Sequence, residues 1–401
     1  MDIRQLRVDD FEERMALSQF AFQMRLTPED LESKKLLFRP EQDWGAFDEQ
    51  GDLLSALTII PFETWIQGRK LAMGGVAGVA TWPEARRRGC VSQLLVRGLE
   101  TMRNNGQTIS MLHPFAFPFY RKYGYELTVE RKKYTIETKQ LPPRKETPGQ
   151  VTRMTKPDIE VLDGIYSTFA SRYSGTLVRT RDWWEKKILT KKGNVAVYYN
   201  EGNVPEGYVF YQVADRVMTI HDWVSTNEVS RQALWTFVAN HDSMINEVTI
   251  IVPIDDPLPF LLADPRIKQE VIPYFMSRIV DAEAFVGLYA WAPGASEEAV
   301  TLILSDEHAP WNNGIFRLAW SAEGQGRLER LNGRSEAEHK SAVASDNGAI
   351  TCDIQALTAM LAGNRQLALL KEAGRISGSE ACLELLKRRI PVTMTHLMDF
   401  F

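Results

Sequence analysis

Cysteine is scarce in this chain: Cys90, Cys352 and Cys382 are the only three in 401 residues. The number is odd and the spacing is not that of a metal site, so neither a disulfide framework nor a zinc centre is expected. The six histidines are scattered, and none forms an i, i+4 pair, so no metal is expected. No apolar run approaches the length needed to span a bilayer, which argues against a membrane protein. Charge of one sign is lacking too. The formal net charge is −5, so no basic face points to nucleic acid, and a mildly acidic surface suits a small cationic substrate. The first residues, MDIRQLRVDDFEERM, are too charged for a signal peptide. A reducing, cytoplasmic compartment is therefore the expectation.

What is present is an ordinary globular composition, 44% apolar and 25% charged, over a length that suits two or three domains. The most informative stretch is 76–106, VAGVATWPEARRRGCVSQLLVRGLETMRNNG. A Val/Ala run ends before Pro83, which cannot donate to a strand ladder. Three arginines and Gly89 follow. Val91, Leu94, Leu95, Leu99 and Met102 then fall near helical spacing, and Asn105-Gly106 stops the helix. The first turn of a helix has unpartnered N–H groups and partial positive charge. Gly89 lets a phosphate approach the backbone, and arginine suits phosphate geometry. The order predicts a site for a phosphorylated ligand.

This stretch resembles motif A of the GNAT superfamily of N-acetyltransferases. The longer pattern GGVAGVAT-x-P-x-x-R-R-R-G resembles the Eis (enhanced intracellular survival) family; Val91 stands where the wider pattern has Gly or Ala. The resemblance implies acetyl-CoA as cosubstrate and no metal. Its pantetheine would run along Val79, Ala80 and Thr81, bordered by Phe115 and Ala116. Its pyrophosphate would be held by Arg87, Arg88, Gly89, Cys90, Val91 and Ser92.

A second stretch, PFAFPFYRKYGYE, follows a short strand at 108–113. It resembles the GNAT signature FY-x-K-x-G-F/Y, whose first tyrosine, here Tyr120, faces the coenzyme sulfur. A phenol near pKa ~10 stays protonated at neutral pH and can protonate a thiolate. Tyr123 and Tyr125 read as packing residues.

Elsewhere the pattern is coarser. Residues 3–43 read as helical, with an N-cap at Thr27. Strands follow at 53–65 and 73–81, joined by the turn Gln67-Gly68. A strand is expected at 130–138 and a proline-rich linker at 139–150. A second α/β unit repeats the order of the first, but STNEVSRQAL stands where the Arg-Gly loop should be. From about 283, strands at 299–305, 314–321 and 349–353 precede helices at 354–362, 364–373 and 379–388. The Eis resemblance therefore implies an α/β (α+β) chain: a catalytic GNAT domain (1–145), a degenerate GNAT-like domain (146–284) and a sterol-carrier-protein-like domain (285–401). It also implies a homohexamer.

The chain ends MTHLMDFF. Two terminal phenylalanines read as a buried apolar anchor. The resemblance implies that the α-carboxylate of Phe401 reaches the N-terminal domain as general base. The expected function is acetyl transfer from acetyl-CoA to a small amine, of aminoglycoside, polyamine or lysine-like type. Long-chain acyl transfer and a non-catalytic apolar-ligand-binding protein are the alternatives.

Overall fold

The computed structural model describes residues 1–331, 349–363 and 367–401. Twelve strands form one sheet. From one edge they run Asp2–Gln5, Asp43–Phe47, Leu53–Ile66, Arg69–Thr81, Ile109–Leu112, Lys268–Ile279, Glu126–Glu137, Glu247–Val252, Val217–Ser225, Pro205–Ala214, Asn194–Tyr199 and Gln150–Arg153. Two strands are exchanged between the sequence units. Lys268–Ile279, late in the second unit, pairs with Ile109–Leu112 and Glu126–Glu137 of the first. Glu126–Glu137 also pairs with Glu247–Val252 of the second. The linker at 139–150 thus divides the chain but not the sheet.

Local chemistry explains most elements. Thr27 caps the helix Pro28–Leu37 by accepting from the Asp30 amide, with proline at the first position. Gln67 and Gly68 both adopt positive φ (50° and 72°), as a tight two-residue hairpin turn requires. The expectation of helix throughout 3–43 fails at its start. Asp2–Gln5 is a strand, antiparallel to Asp43–Phe47, because a short segment with a sheet edge beside it gains more from pairing than from local propensity. Helices Phe11–Ala21 and Pro28–Leu37 follow it.

The third unit has a five-stranded sheet ordered Gly326–Arg330, Gly314–Trp320, Glu298–Ser305, Ala349–Asp353, Ile376–Ser377. Helices Ile354–Leu361, Leu367–Glu372 and Glu380–Arg389 accompany it; the first three residues of the helix expected at 364–373 lie outside the described residues. Helix Ile354–Leu361 docks on Lys268–Ile279 and Glu126–Glu137, and one apolar core runs through the junction from Met73 and Phe275 to Leu302 and Leu357. A fully buried Arg278 crosses it, donating to both carboxylate oxygens of Asp306 at 2.7 Å.

The last residues return along the exchanged strands. Thr395 Oγ1 donates to Thr128 O at 2.8 Å, and the Ser174 and His396 amides bracket the contact with the second unit. His396 is buried, its Nδ1 has no partner among the described residues, and burial pushes its pKa down to about 3. It stays neutral in the fold. The unfolded chain takes up a proton there below ~6.5, so the native state loses stability as pH falls from ~6.5 toward that lowered value. The loss reaches about 2 kcal/mol at pH ~5 for this group. Urea denaturation at the two pH values should show it, and His396→Gln should remove this share; an undiminished acid loss would refute the assignment.

Candidate active site

A cleft opens where two parallel strands part. Arg69–Thr81 pairs with Ile109–Leu112 from Met73↔Ile109 to Val76↔Leu112, and there the ladder ends. One strand continues to Thr81 while the other chain turns away at Pro114. Between them lies a cleft of about 820 Å³. A β-bulge bends its floor: the register with Leu53–Ile66 slips between Ala56 and Thr58, opposite Gly78, whose φ is +59°. Arg14, unremarked in the sequence, holds this bulge. It is buried, donates to Gly78 O (3.1 Å), Thr58 (3.2 Å) and Asp43 (2.9 Å), and stands 2.6 Å from where a Cβ on Gly78 would lie.

Past Pro83 the chain makes a tight loop into the helix Cys90–Asn104. Arg87 and Gly89 sit in the left-handed region, φ +64° and +82°. Gly89 is the N-cap and supplies no side-chain cap, so the Cys90, Val91 and Ser92 amides face outward without intrahelical partners. A Cβ built on Gly89 would meet nothing within 4 Å, leaving open space for a ligand's approach. Arg86 and Arg87 line the cleft and form no ion pair among the described residues. Leu94, Leu95, Leu99 and Met102 bury the opposite face, as their spacing predicts. Burial pushes the Cys90 thiol up, so at this site Cys90 is a backbone donor rather than a thiolate.

Of the residues expected around a coenzyme, Val79, Ala80, Thr81, Arg87, Gly89, Cys90, Val91, Ser92 and Phe115 line the cleft. Arg88 and Ala116 do not; Ala116 caps the short helix Phe117–Arg121 instead. Arg86, Phe22, Phe119 and Tyr123 were not among the expected site residues and do line it. Tyr120 lies just behind this wall, 3% exposed, with its ring against Phe115 and Phe119 at 5.2 and 5.1 Å. Burial pushes its phenol well above the ordinary value.

Phe401 reaches the sheet next to the point where the two strands part, but is not among the residues lining the cleft. Its ring packs on Phe62 and Phe275, both at 4.9 Å, and lies over Gly75, where a Cβ would come within 2.8 Å of it. The expectation of two buried phenylalanines fails: Phe400 is 60% exposed, its ring edge against His113 at 5.1 Å and Phe275 at 6.4 Å. The anchor is polar. Asp399, buried, accepts from Arg179 Nε (3.0 Å) and Trp183 Nε1 (2.8 Å), and its backbone oxygen accepts from Tyr274 (2.8 Å).

The equivalent place in the second unit is closed differently. Asn227 caps the helix Glu228–Ala239 with its own side chain, accepting from the Ser230 amide. Glu228, Asp255 and Asp256 line the smaller cleft there.

Comparison with known proteins agrees with this layout. Residues 2–128 and 175–279 each match an acetyltransferase (GNAT) domain family, and residues 282–398 match the sterol carrier protein domain family. N-acetyltransferase Eis of Mycobacterium tuberculosis is 24% identical over 258 residues, covering 59% of this chain and 62% of that protein. The chain is an Eis-like member of the GNAT acyltransferase superfamily. An uncharacterized N-acetyltransferase of Streptomyces griseus is 22% identical over 231 residues, 51% of this chain and 55% of that protein, so the match spans about half the length of this curated relative. A crystal structure from Enterococcus faecalis V583, described as a probable N-acyltransferase, superposes with a TM-score of 0.89 at 27% identity, covering 100% of this chain and 99% of that one. The fold class read from the sequence, two tandem GNAT units and a sterol-carrier-type unit, is therefore that of the chain. No helix among the described residues is long and apolar enough to cross a membrane.

Proposed function

We propose that this chain moves an acetyl group from acetyl-CoA to a primary amine in the cleft of its first unit. One observation carries the reading: an uncapped helix start behind Gly89, facing open space beside two unpaired arginines. A diphosphate fits such a cradle, and the cleft's length along Val79–Thr81 leaves edge-on strand backbone for an amide-bearing arm. Bound acetyl-CoA would supply the activated thioester.

The chain's own groups do the rest. Arg86, Arg87 and the Cys90–Ser92 amides hold the diphosphate. Tyr120, kept protonated by burial, donates its proton to the departing sulfur. The Phe401 carboxylate accepts the proton that the amine must lose. Residues 1–145 then form the catalytic unit. Residues 146–284 keep the architecture without a coenzyme site, since Asn227 occupies the Ser230 amide of the helix start and no arginine-glycine loop precedes it. Residues 285–401 deliver the terminus, and cytoplasmic residence and a homohexamer remain part of this reading.

Arg87→Ala should weaken acetyl-CoA binding about tenfold, the worth of one charge-assisted contact, and should leave kcat nearly unchanged. Calorimetric titration at two salt concentrations checks this. Unaltered affinity would remove the loop from coenzyme binding.

A further inference from the structure

A second cleft, of about 420 Å³, opens beside the terminal phenylalanines. His113, Arg131, Lys191, His221, Tyr274 and Phe400 are among its lining residues. His113 directly precedes the turn that borders the coenzyme cleft, and its ring lies 5.1 Å from that of Phe400. His113, beside Phe400, thus lies two residues before Phe115 of the coenzyme cleft.

The charge of this second cleft is opposite to what a polycationic acceptor needs. Arg131 stacks its guanidinium 3.5 Å over the Tyr274 ring, and its Nε is buried without a partner. Neither Arg131 nor Lys191 forms an ion pair among the described residues. The one side-chain carboxylate of the lining, Asp222, is already taken: it accepts from Arg179 at 2.7 Å and from Tyr208 at 2.7 Å. Both histidines feel the cations. Burial, and then Arg131, lower the pKa of His113; burial, and then Lys191, lower that of His221. They are neutral at pH 7 and offer hydrogen bonds rather than further charge.

The geometry points to an acceptor that carries an anionic group, carboxylate or phosphate, a few bonds from its amine, with Arg131 and Lys191 as the residues that select it. This rests on the acetyl-transfer reading. The cations would hold the anion at the mouth, and the amine would lie toward Phe401. A stacked guanidinium is held in orientation by its aromatic partner, which suits fork-like contact with a carboxylate or phosphate.

Binding and turnover are measured separately. Calorimetry on the full chain loaded with coenzyme A compares 4-aminobutyrate and O-phosphoethanolamine with 1,4-diaminobutane, the diamine of matching length. The anionic amines should bind at least tenfold more tightly. The Arg131→Gln/Lys191→Gln double variant should lose that preference while keeping its coenzyme affinity and melting temperature, and Arg131→Lys should retain most of it. Equal or tighter binding of the diamine to wild type would overturn the acceptor class. So would a preference that survives in the double variant. Preferential binding without any acetylated product in mass spectrometry would keep the anion site and sink acetyl transfer instead.

Discussion

Tyr120→Phe is expected to lower kcat by about 10²–10³-fold, the usual worth of a positioned proton donor, with the KM for acetyl-CoA little changed. The phenol is 3% exposed, and burial holds its pKa well above the ordinary value. It is therefore protonated across the whole range in which an amine acceptor can be neutral. In the proposed reaction a thiolate leaves, and the Tyr120 hydroxyl is the donor that would hydrogen-bond to it or protonate it. Removing only the oxygen keeps the ring contacts with Phe115, Phe119 and Tyr125, so the melting temperature should stay within a degree or two. Tyr125 cannot substitute, because its hydroxyl is spent on Ser110 at 2.8 Å, which in turn donates to Gly74 O. Thiol release under saturating substrates is the measurement. An unchanged kcat would take Tyr120 out of the chemistry, and a rise in KM alone would make it a binding residue.

The turn from strand to helix around Gly89 was legible because its signals are local. A strand end, a run of arginines, a glycine and a helical period lie within thirty-one consecutive residues at 76–106, and each acts through its own backbone or nearest neighbours. The Tyr120 stretch was legible for the same reason. Arg14 was not, because its meaning depends on contact with Gly78, sixty-four positions away. Nor was the strand exchange. Lys268–Ile279 has the same β pattern whichever neighbour it takes, and pairing choice is fixed by tertiary packing. The misreading at the terminus has a related cause. Apolar area argues for burying Phe400, but the buried carboxylate of Asp399 two places before the end dictates which way the chain faces, and Phe400 is left at the surface.

Asp399 and its arginine give the other large effect. Arg179 is buried and holds two carboxylates, Asp222 at 2.7 Å and Asp399 at 3.0 Å, while its guanidinium stacks over Tyr166 at 3.9 Å. Arg179→Met would leave both carboxylates buried without their cation. Breaking a buried pair in this way costs about 3–5 kcal/mol, and the tail should come loose from the second unit, moving Phe401, whose ring lies over Gly75. Stability and kcat should fall together. A chain amidated at Phe401 by semisynthesis separates the two effects. It retains Arg179, Asp399 and every ring contact of the terminus, so its urea midpoint should match wild type while kcat falls about 10²-fold for want of the proton acceptor. Were the amidated chain as fast as wild type, the carboxylate would have no part in the reaction and the buried Arg179 network would serve only to join the units. Were it slow and Arg179→Met slower still, the network's task is to hold a reactive chain end in place.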